Sequence, residues 1–332
     1  MEQNQPDRME SETSQLRDAS EGQAESYEQY GEVRTDASNK ADEGFGNQTR
    51  FVYFGTPSVS SLTLEALLRN GYTPSLVVTS PDARQGRGMM LTPSPTKAVA
   101  LAHSIPVITP EELTKEDVAK IAEYGGEYAL VVAYGKLLPQ MLIHAFPKGI
   151  LNIHYSLLPK YRGASPVEAA LLAGDTVTGV SIQKMVKQMD AGDVMALKEV
   201  PIYPEETARE LRARLIDEGA DLLISSLPSF LAGTAIFTPQ NESLATFCRK
   251  IAKEEGLLDL AEPGDANWNK YRAYAENPGT YFYMTKNGHP LRVKIKTAEL
   301  HHGHFRPVRV VPAGKAEMDY AALLMSAAPG RL

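Results

Sequence analysis

The chain has 332 residues, too many for one ordinary core, and its 43% hydrophobic and 23% charged residues fit a globular protein of about two domains with a sizeable buried core. No apolar stretch approaches the ~18 residues that cross a bilayer, and the N-terminus opens with neither a basic segment nor an apolar run, so membrane and ordinary secreted classes are set aside and a cytoplasmic protein is expected. The single cysteine, Cys248, permits no internal disulfide, which fits a reducing compartment, and the formal net charge is −7.

That charge is unevenly placed. Residues 1–50 hold 12 acidic and 5 basic residues, which accounts for the whole net charge. With almost no aliphatic residues to offset the entropy of ordering, residues 1–49 read as an acidic disordered tail. From Arg50 onward, short apolar runs alternate with helical segments, the pattern of strand–helix–strand units around a mostly parallel sheet. Strands are predicted at 51–55, 75–80, 107–109, 128–134, 150–154, 179–185 and 194–202. Helices are predicted at 58–70, closed by Gly71, at 95–104, with Ser94 as cap and Pro95 in the first turn, and at about 114–123. Two more start on Ser-x-x-Glu and Thr-x-x-Glu boxes, Ser165 with Glu168 and Thr207 with Glu210, and run to about Gly174 and Gly233, with Pro228 expected to kink the latter. The fold class is therefore α/β, a Rossmann-like domain over residues 50–233. After Gly233 a polar stretch leads to alternating runs at 281–285 and 291–296 joined by Asn287-Gly288, a hairpin signal, so residues 234–332 are expected to form a small β domain.

Four places could carry chemistry. On a strand, Leu151 and Ile153 face one way while Asn152 and His154 face the other, and the chain then enters a Pro- and Gly-containing loop; ligands of open α/β sheets bind at such strand ends. An Asn amide can donate to a developing oxyanion, and a His can do the same or relay a proton; the alternative is a turn cap and a buried structural histidine. Residues 187–193 read first as a turn, but a carboxylate there, either Asp190 or Asp193, could orient His154 or take a proton from an amine. The glycine-rich segment 81–90 carries Arg84 and Arg87, suited to a phosphate backbone or unpaired bases. Arg292, Lys294 and Lys296 alternate with Val293 and Ile295, so three cations share one strand face, either solvated or opposed to a nucleic acid. His301, His302 and His304 lie in a predicted turn without a spaced partner, and no metal is expected. Gly55-Thr56-Pro57 is neither a GxGxxG nor a Walker loop.

On these residues the chain resembles the methionyl-tRNA formyltransferase family, over nearly all its length after the tail. The match runs through Phe54-Gly55-Thr56-Pro57, Pro81-Asp82, Gly86-Arg87-Gly88, Pro93-Ser94-Pro95, Val131-Val132-Ala133-Tyr134-Gly135, Asn152-Ile153-His154, Ser156-Leu157-Leu158-Pro159, Arg162-Gly163-Ala164 and Met189-Asp190-Ala191-Gly192-Asp193. Asn-x-His with Ser-Leu-Leu-Pro and a following Asp-x-Gly-Asp marks the folate-dependent formyltransferases as a group. The arginine segment and residues 312–318 point to tRNA as acceptor. The resemblance implies a one-carbon transferase of translation initiation, moving formyl from 10-formyltetrahydrofolate to the amine of initiator methionyl-tRNA. It makes Asn152, His154 and Asp190 catalytic, places Ser156, Leu157, Leu158 and Pro159 at the folate, and assigns Arg84, Arg87, Arg292, Lys294 and Lys296 to tRNA. It also implies a C-terminal OB-like barrel, here reduced, and a monomer needing no metal. The rivals are an amino-sugar nucleotide as acceptor, or an inactive tRNA-binding relative. The chain departs from the family's pattern at Tyr155, Met89 and Met90.

Overall fold

The structure, a computed structural model, describes residues 49–85, 89–286 and 288–327. The acidic tail up to residue 48, Arg87 and Asn287 lie outside the described residues. In chain order the elements are β1 (Phe51–Gly55), α1 (Ser58–Arg69), β2 (Leu76–Val78), β3 (Ala83–Gln85), β4 (Met90–Thr92), α2 (Pro95–Ala102), β5 (Val107–Ile108), α3 (Lys115–Glu123), β6 (Tyr128–Val132), α4 (Gln140–Ile143) and β7 (Gly149–His154). They continue with β8 (Arg162–Gly163), α5 (Pro166–Ala173), β9 (Val177–Lys184), β10 (Val194–Pro201), α6 (Ala208–Leu231), β11 (Phe247–Cys248), α7 (Gly264–Tyr274), β12 (Tyr281–Lys286), β13 (His289–His301), β14 (His304–Pro312), β15 (Met318–Asp319) and α8 (Tyr320–Ala327).

Seven strands form one sheet in the order β10-β9-β7-β6-β1-β2-β5. The pairs β7–β6, β6–β1, β1–β2 and β2–β5 are parallel, whereas β9 runs antiparallel to both β7 and β10. The mostly parallel α/β sheet expected from the sequence is present. β1 and β6 are buried along their whole length, as strands covered on both faces must be. Period-2 alternation divides their side chains between two cores. Phe51, Tyr53, Tyr128, Leu130, Leu151 and Ile153 pack on one face with Leu64 and Leu67 of α1 and Leu211, Leu215 and Leu223 of α6. Val52, Phe54, Ala129, Val131 and Ile150 pack on the other with Ile121 of α3 and Leu142 of α4.

Most helix ends follow their local chemistry. The Ser94 hydroxyl accepts from Lys97 N–H at 3.1 Å with Pro95 in the first turn, and Gly71 closes α1 at φ +82°. The Thr207 N–H and hydroxyl both donate to the Glu210 carboxylate, at 2.8 and 2.7 Å. The Ser165 box does not form. Ser165 makes no side-chain cap bond, its N–H donates to Cys248 Sγ at 3.4 Å, and the Glu168 carboxylate that would complete the box is paired with the ionised guanidinium of Arg212 on α6. Pro228 lies within α6, which continues to Leu231.

The C-terminal sheet is antiparallel, in the order β12-β13-β14-β15. The hairpin expected at 287–288 joins β12 to β13, with Gly288 at φ +78°. The two residues His302 and Gly303, at φ +48° and +75°, turn β13 into β14, the positive angles that a tight hairpin demands. Register shifts on either side of Thr297 mark β-bulges in the long β13, in keeping with a small barrel-like domain. Helix α7 was not legible in the sequence. Its Asn- and Gly-containing stretch has weak intrinsic propensity, and tertiary contacts hold it: Trp268 Nε1 donates to the Pro204 carbonyl at 3.0 Å, while Trp268 and Tyr271 join the small core and Ala273 and Tyr274 the large one.

Bonding to Thr207 holds the Glu210 carboxyl below the usual range, its backbone bond being the largest cause. A lowered folded value means stabilisation that is present above the unfolded pKa and lost as pH falls through the folded one. Because the carboxylate is exposed and screened by solvent, Glu210→Ala is therefore expected to cost only about 0.5 kcal/mol in urea unfolding at pH 7. The difference from the parent should vanish in strongly acidic buffer; an equal difference at both pH values would remove the carboxylate from the account.

Candidate active site

The site is built where the second core runs out along β7. Ile150 still belongs to that core, and the next two residues on the same face are Asn152 and His154. Tyr155 follows the other phase. It packs in the first core, near Gly219 of α6, so the departure at this position is absorbed on the far side of the sheet, and burial raises its hydroxyl well above the usual range. The reversed direction of β9 sets Gln183 directly opposite Asn152 and Ser181 opposite His154. Cross-strand partners share a face, so four polar side chains meet on the surface that holds Asn152.

His154 is buried, and each ring nitrogen has a defined neighbour. Nε2 lies 2.9 Å from the Tyr161 carbonyl oxygen, and a carbonyl only accepts, so Nε2 carries a proton. Nδ1 lies 3.6 Å from Asp190 Oδ2, beyond hydrogen-bond length but within reach of charge attraction. A ring protonated at both nitrogens would meet an acceptor on each side. Cys248 braces the same carbonyl: burial pushes its thiol up, so it stays protonated and donates to Tyr161 O at 3.3 Å.

Asp190, rather than Asp193, is the carboxylate at the site. Its Oδ2 accepts from Gly163 N–H at 2.8 Å and its Oδ1 from Gln183 Nε2 at 2.9 Å, while Asp193 is exposed and its backbone carbonyl accepts from Lys184 N–H. Asp190 stands at φ +49° and Tyr161 at φ +58°, left-handed angles costing roughly 1–2 kcal/mol each in a non-glycine residue. Strain of this kind gathers where a loop must present particular groups. Asn152 is half-buried, and its carboxamide makes no hydrogen bond to any other described residue. It is a donor already in position with nothing to release.

Ser156, Leu157, Leu158 and Pro159 form a buried turn. The Ser156 hydroxyl donates to Lys160 O, and Leu158 N–H donates to Ser181 Oγ at 3.0 Å. Their side chains are committed to the fold, and the turn carries the chain from His154 to Tyr161. On the Asn152 side of the sheet a cavity of about 430 Å³ is lined by Gln140, Ile143, Phe146, Met185 and Lys187, the last two on the segment leading to Asp190.

The expected cationic residues lie on other elements. Arg84 is exposed on the β3–β4 hairpin and donates to Met89 O at 3.2 Å. Arg292, Lys294 and Lys296 are exposed on one face of β13, with Val293 and Ile295 buried on the other, as alternation predicted; Arg292 stacks on the Tyr281 ring at 3.8 Å. Gln183 escaped the sequence reading because only the antiparallel register places it against Asn152. Gln240 escaped it as well, since 238–242 reads as a polar connector. The structure brings it back to the site, with Nε2 donating to Asp190 O at 2.8 Å and to Gly192 O at 2.7 Å.

A family model described as formyl transferase matches residues 49–227. Methionyl-tRNA formyltransferase of Bdellovibrio bacteriovorus is 39% identical over 241 residues, covering 72% of this chain and 76% of that protein. The protein of the same name from a Methylobacterium species is 36% identical over 295 residues, covering 83% and 95%. Among solved structures, the N-formyltransferase from Helicobacter canadensis, in complex with folinic acid and dTDP-3-aminofucose, shares the fold with a TM-score of 0.57 at 19% identity, over 76% of this chain and 89% of that one. Matched through its sheet, site and C-terminal segments by relatives of one kind, this chain belongs to the methionyl-tRNA formyltransferase family.

Proposed function

We propose that this chain moves a formyl group from 10-formyltetrahydrofolate to the amine of initiator methionyl-tRNA, with Asn152, His154 and Asp190 as the catalytic residues. The observation that carries the reading is the unengaged Asn152 carboxamide beside a His–Asp pair at the end of a parallel strand. The uncharged amine attacks the formyl carbon, and the carbonyl oxygen gains the charge that Asn152 is placed to meet. His154 donates to the same oxygen once its Nε2 proton leaves the Tyr161 carbonyl. The proton lost by the amine equals the one needed by the departing folate nitrogen, so transfer is balanced with Asp190 beside His154 as its counter-charge. No covalent enzyme intermediate is required.

The folate ring is assigned to the cavity beside Ile143, Met185 and Lys187, which shares the sheet face and the loop of Asp190. The buried turn of Ser156, Leu157, Leu158 and Pro159 would shape that site through the backbone. Residues 50–233 supply the catalytic domain and residues 234–332 the tRNA-binding one. The tRNA contacts are assigned to Arg84 and Arg87 near the acceptor end, and to the β13 cations, whose exposed face with Tyr283 offers charge and an aromatic ring together. Tyr155, lying in the core on the opposite face, leaves the site unblocked, which supports an active enzyme over an inactive relative.

An oxyanion donor is worth about 3–4 kcal/mol, so Asn152→Ala should lower kcat about 100- to 1000-fold in transfer to initiator methionyl-tRNA, with the unfolding midpoint unchanged. Undiminished turnover would remove Asn152 from the mechanism. Filling the cavity by Ile143→Trp should raise KM for the folate and leave KM for the tRNA as it was; the reverse pattern would move the folate elsewhere. Lys294→Ala should weaken tRNA binding and reduce the slope of log K against log salt by about one, while an unchanged slope would leave that strand solvated rather than bound.

A further inference from the structure

Asp190 is held by its main chain as well as by its carboxylate, and the main-chain hold comes from outside the catalytic sheet. Gln240 is 9% exposed and uses its whole amide. Nε2 donates to the carbonyls of Asp190 and Gly192, at 2.8 and 2.7 Å, and Oε1 accepts from Arg162 Nε and Nη2, at 3.1 and 2.8 Å. Because a guanidinium only donates and a carbonyl only accepts, this amide orientation is forced. Arg162 is fully buried and reaches the Glu242 carboxylate through Nη2 and Nη1, at 2.7 and 2.9 Å. The next residue, Gly163, donates its N–H to the Asp190 carboxylate. One short strand, β8, therefore grips the carboxylate with its backbone and, through the Arg162 side chain, orients the amide that grips the peptide.

The loop has a physical need for this. Asp190 adopts a left-handed angle that is costly for a residue with a side chain, and Gly192 is so close to the Lys184 carbonyl that a Cβ there would stand 1.7 Å from its oxygen. The segment supplying Gln240 is anchored on both sides, by Thr238 paired with Val194 and by β11 paired with β8.

We propose that Gln240 is a positioning residue for Asp190, a role that rests on the assignment of Asp190 to catalysis above. It acts by holding the Asp190 and Gly192 carbonyls, so that the carboxylate faces His154 in the strained loop. The segment after α6 is thus a working part of the active site.

The test compares Gln240→Glu with the parent in the full chain, using formyl transfer to initiator methionyl-tRNA. Glutamate keeps an acceptor for Arg162 but sets an anionic oxygen against two carbonyls. A misplacement of this size should lower kcat by about 10- to 100-fold, with KM for folate and tRNA little changed. In an Asp190→Asn background the same substitution should cost no further rate, because its effect passes through Asp190. If glutamate at this position prevents folding, Gln240→Met, apolar and of similar length, serves in the same two backgrounds. Full kcat in a folded variant, or an equal loss in both backgrounds, overturns the role. Unchanged turnover in Asp190→Asn alone overturns the assignment of Asp190 and this role with it, whereas loss there but not on changing Gln240 overturns only the latter.

Discussion

The antiparallel return of β9 against β7 is the constraint on which the site depends. Five parallel strands run in the same direction, but β9 comes back beside β7, and its side chains meet those of β7 in register. That register sets a second carboxamide, Gln183, across from Asn152. It also delivers the chain into the turn that carries Asp190, since β9 ends at Lys184 and the turn closes where Val194 pairs with Gln183. A one-residue slip would exchange the faces of Gln183 and Ile182, putting an amide into the large core and leaving Asp190 without that donor. Burial of Val180 and Ile182 opposes such a slip, so the apolar core on one face enforces the polar geometry on the other.

On that polar face the groups are satisfied by neutral donors and acceptors more than by charge. The Asp190 carboxylate receives a backbone N–H and a side-chain amide, and the His154 ring faces a backbone carbonyl. Neutral partners orient these groups without cancelling their charge, and the nearest ionic pairing, at 3.6 Å, is left loose. Arg162, a fully buried charge near the site, is matched by Glu242 and works on the scaffold, where an unmatched buried guanidinium would be strongly destabilising.

Connection between the two parts of the chain is closer than a linker would make it. Residues that follow α6 pair with β10 and β8, and α7 contributes side chains to both the large and the small core. The β13 cations face outward from that second core because Val293 and Ile295 face inward, the same alternation that separates Asn152 from Ile153. A basic face and the polar face of Asn152 and His154 thus arise from one rule of strand geometry applied in two sheets.

Taken by itself, the amino-acid sequence determined the α/β class, every strand of the large sheet, the shared face of Asn152 and His154, and the outward row of Arg292, Lys294 and Lys296. Those features are local, since apolar period and turn chemistry act over a few residues and need no knowledge of distant chain. The family followed from motifs of the same short range. Tertiary structure decided the rest. It chose Asp190 over Asp193, because only the folded turn brings one carboxylate to His154. It took Glu168 from its helix cap for Arg212, formed α7 from a weak helix sequence, and turned Tyr155 into the core. Gln183 and Gln240 became site residues only through pairings with chain far away in sequence, and no local pattern encodes a partner 50 residues distant.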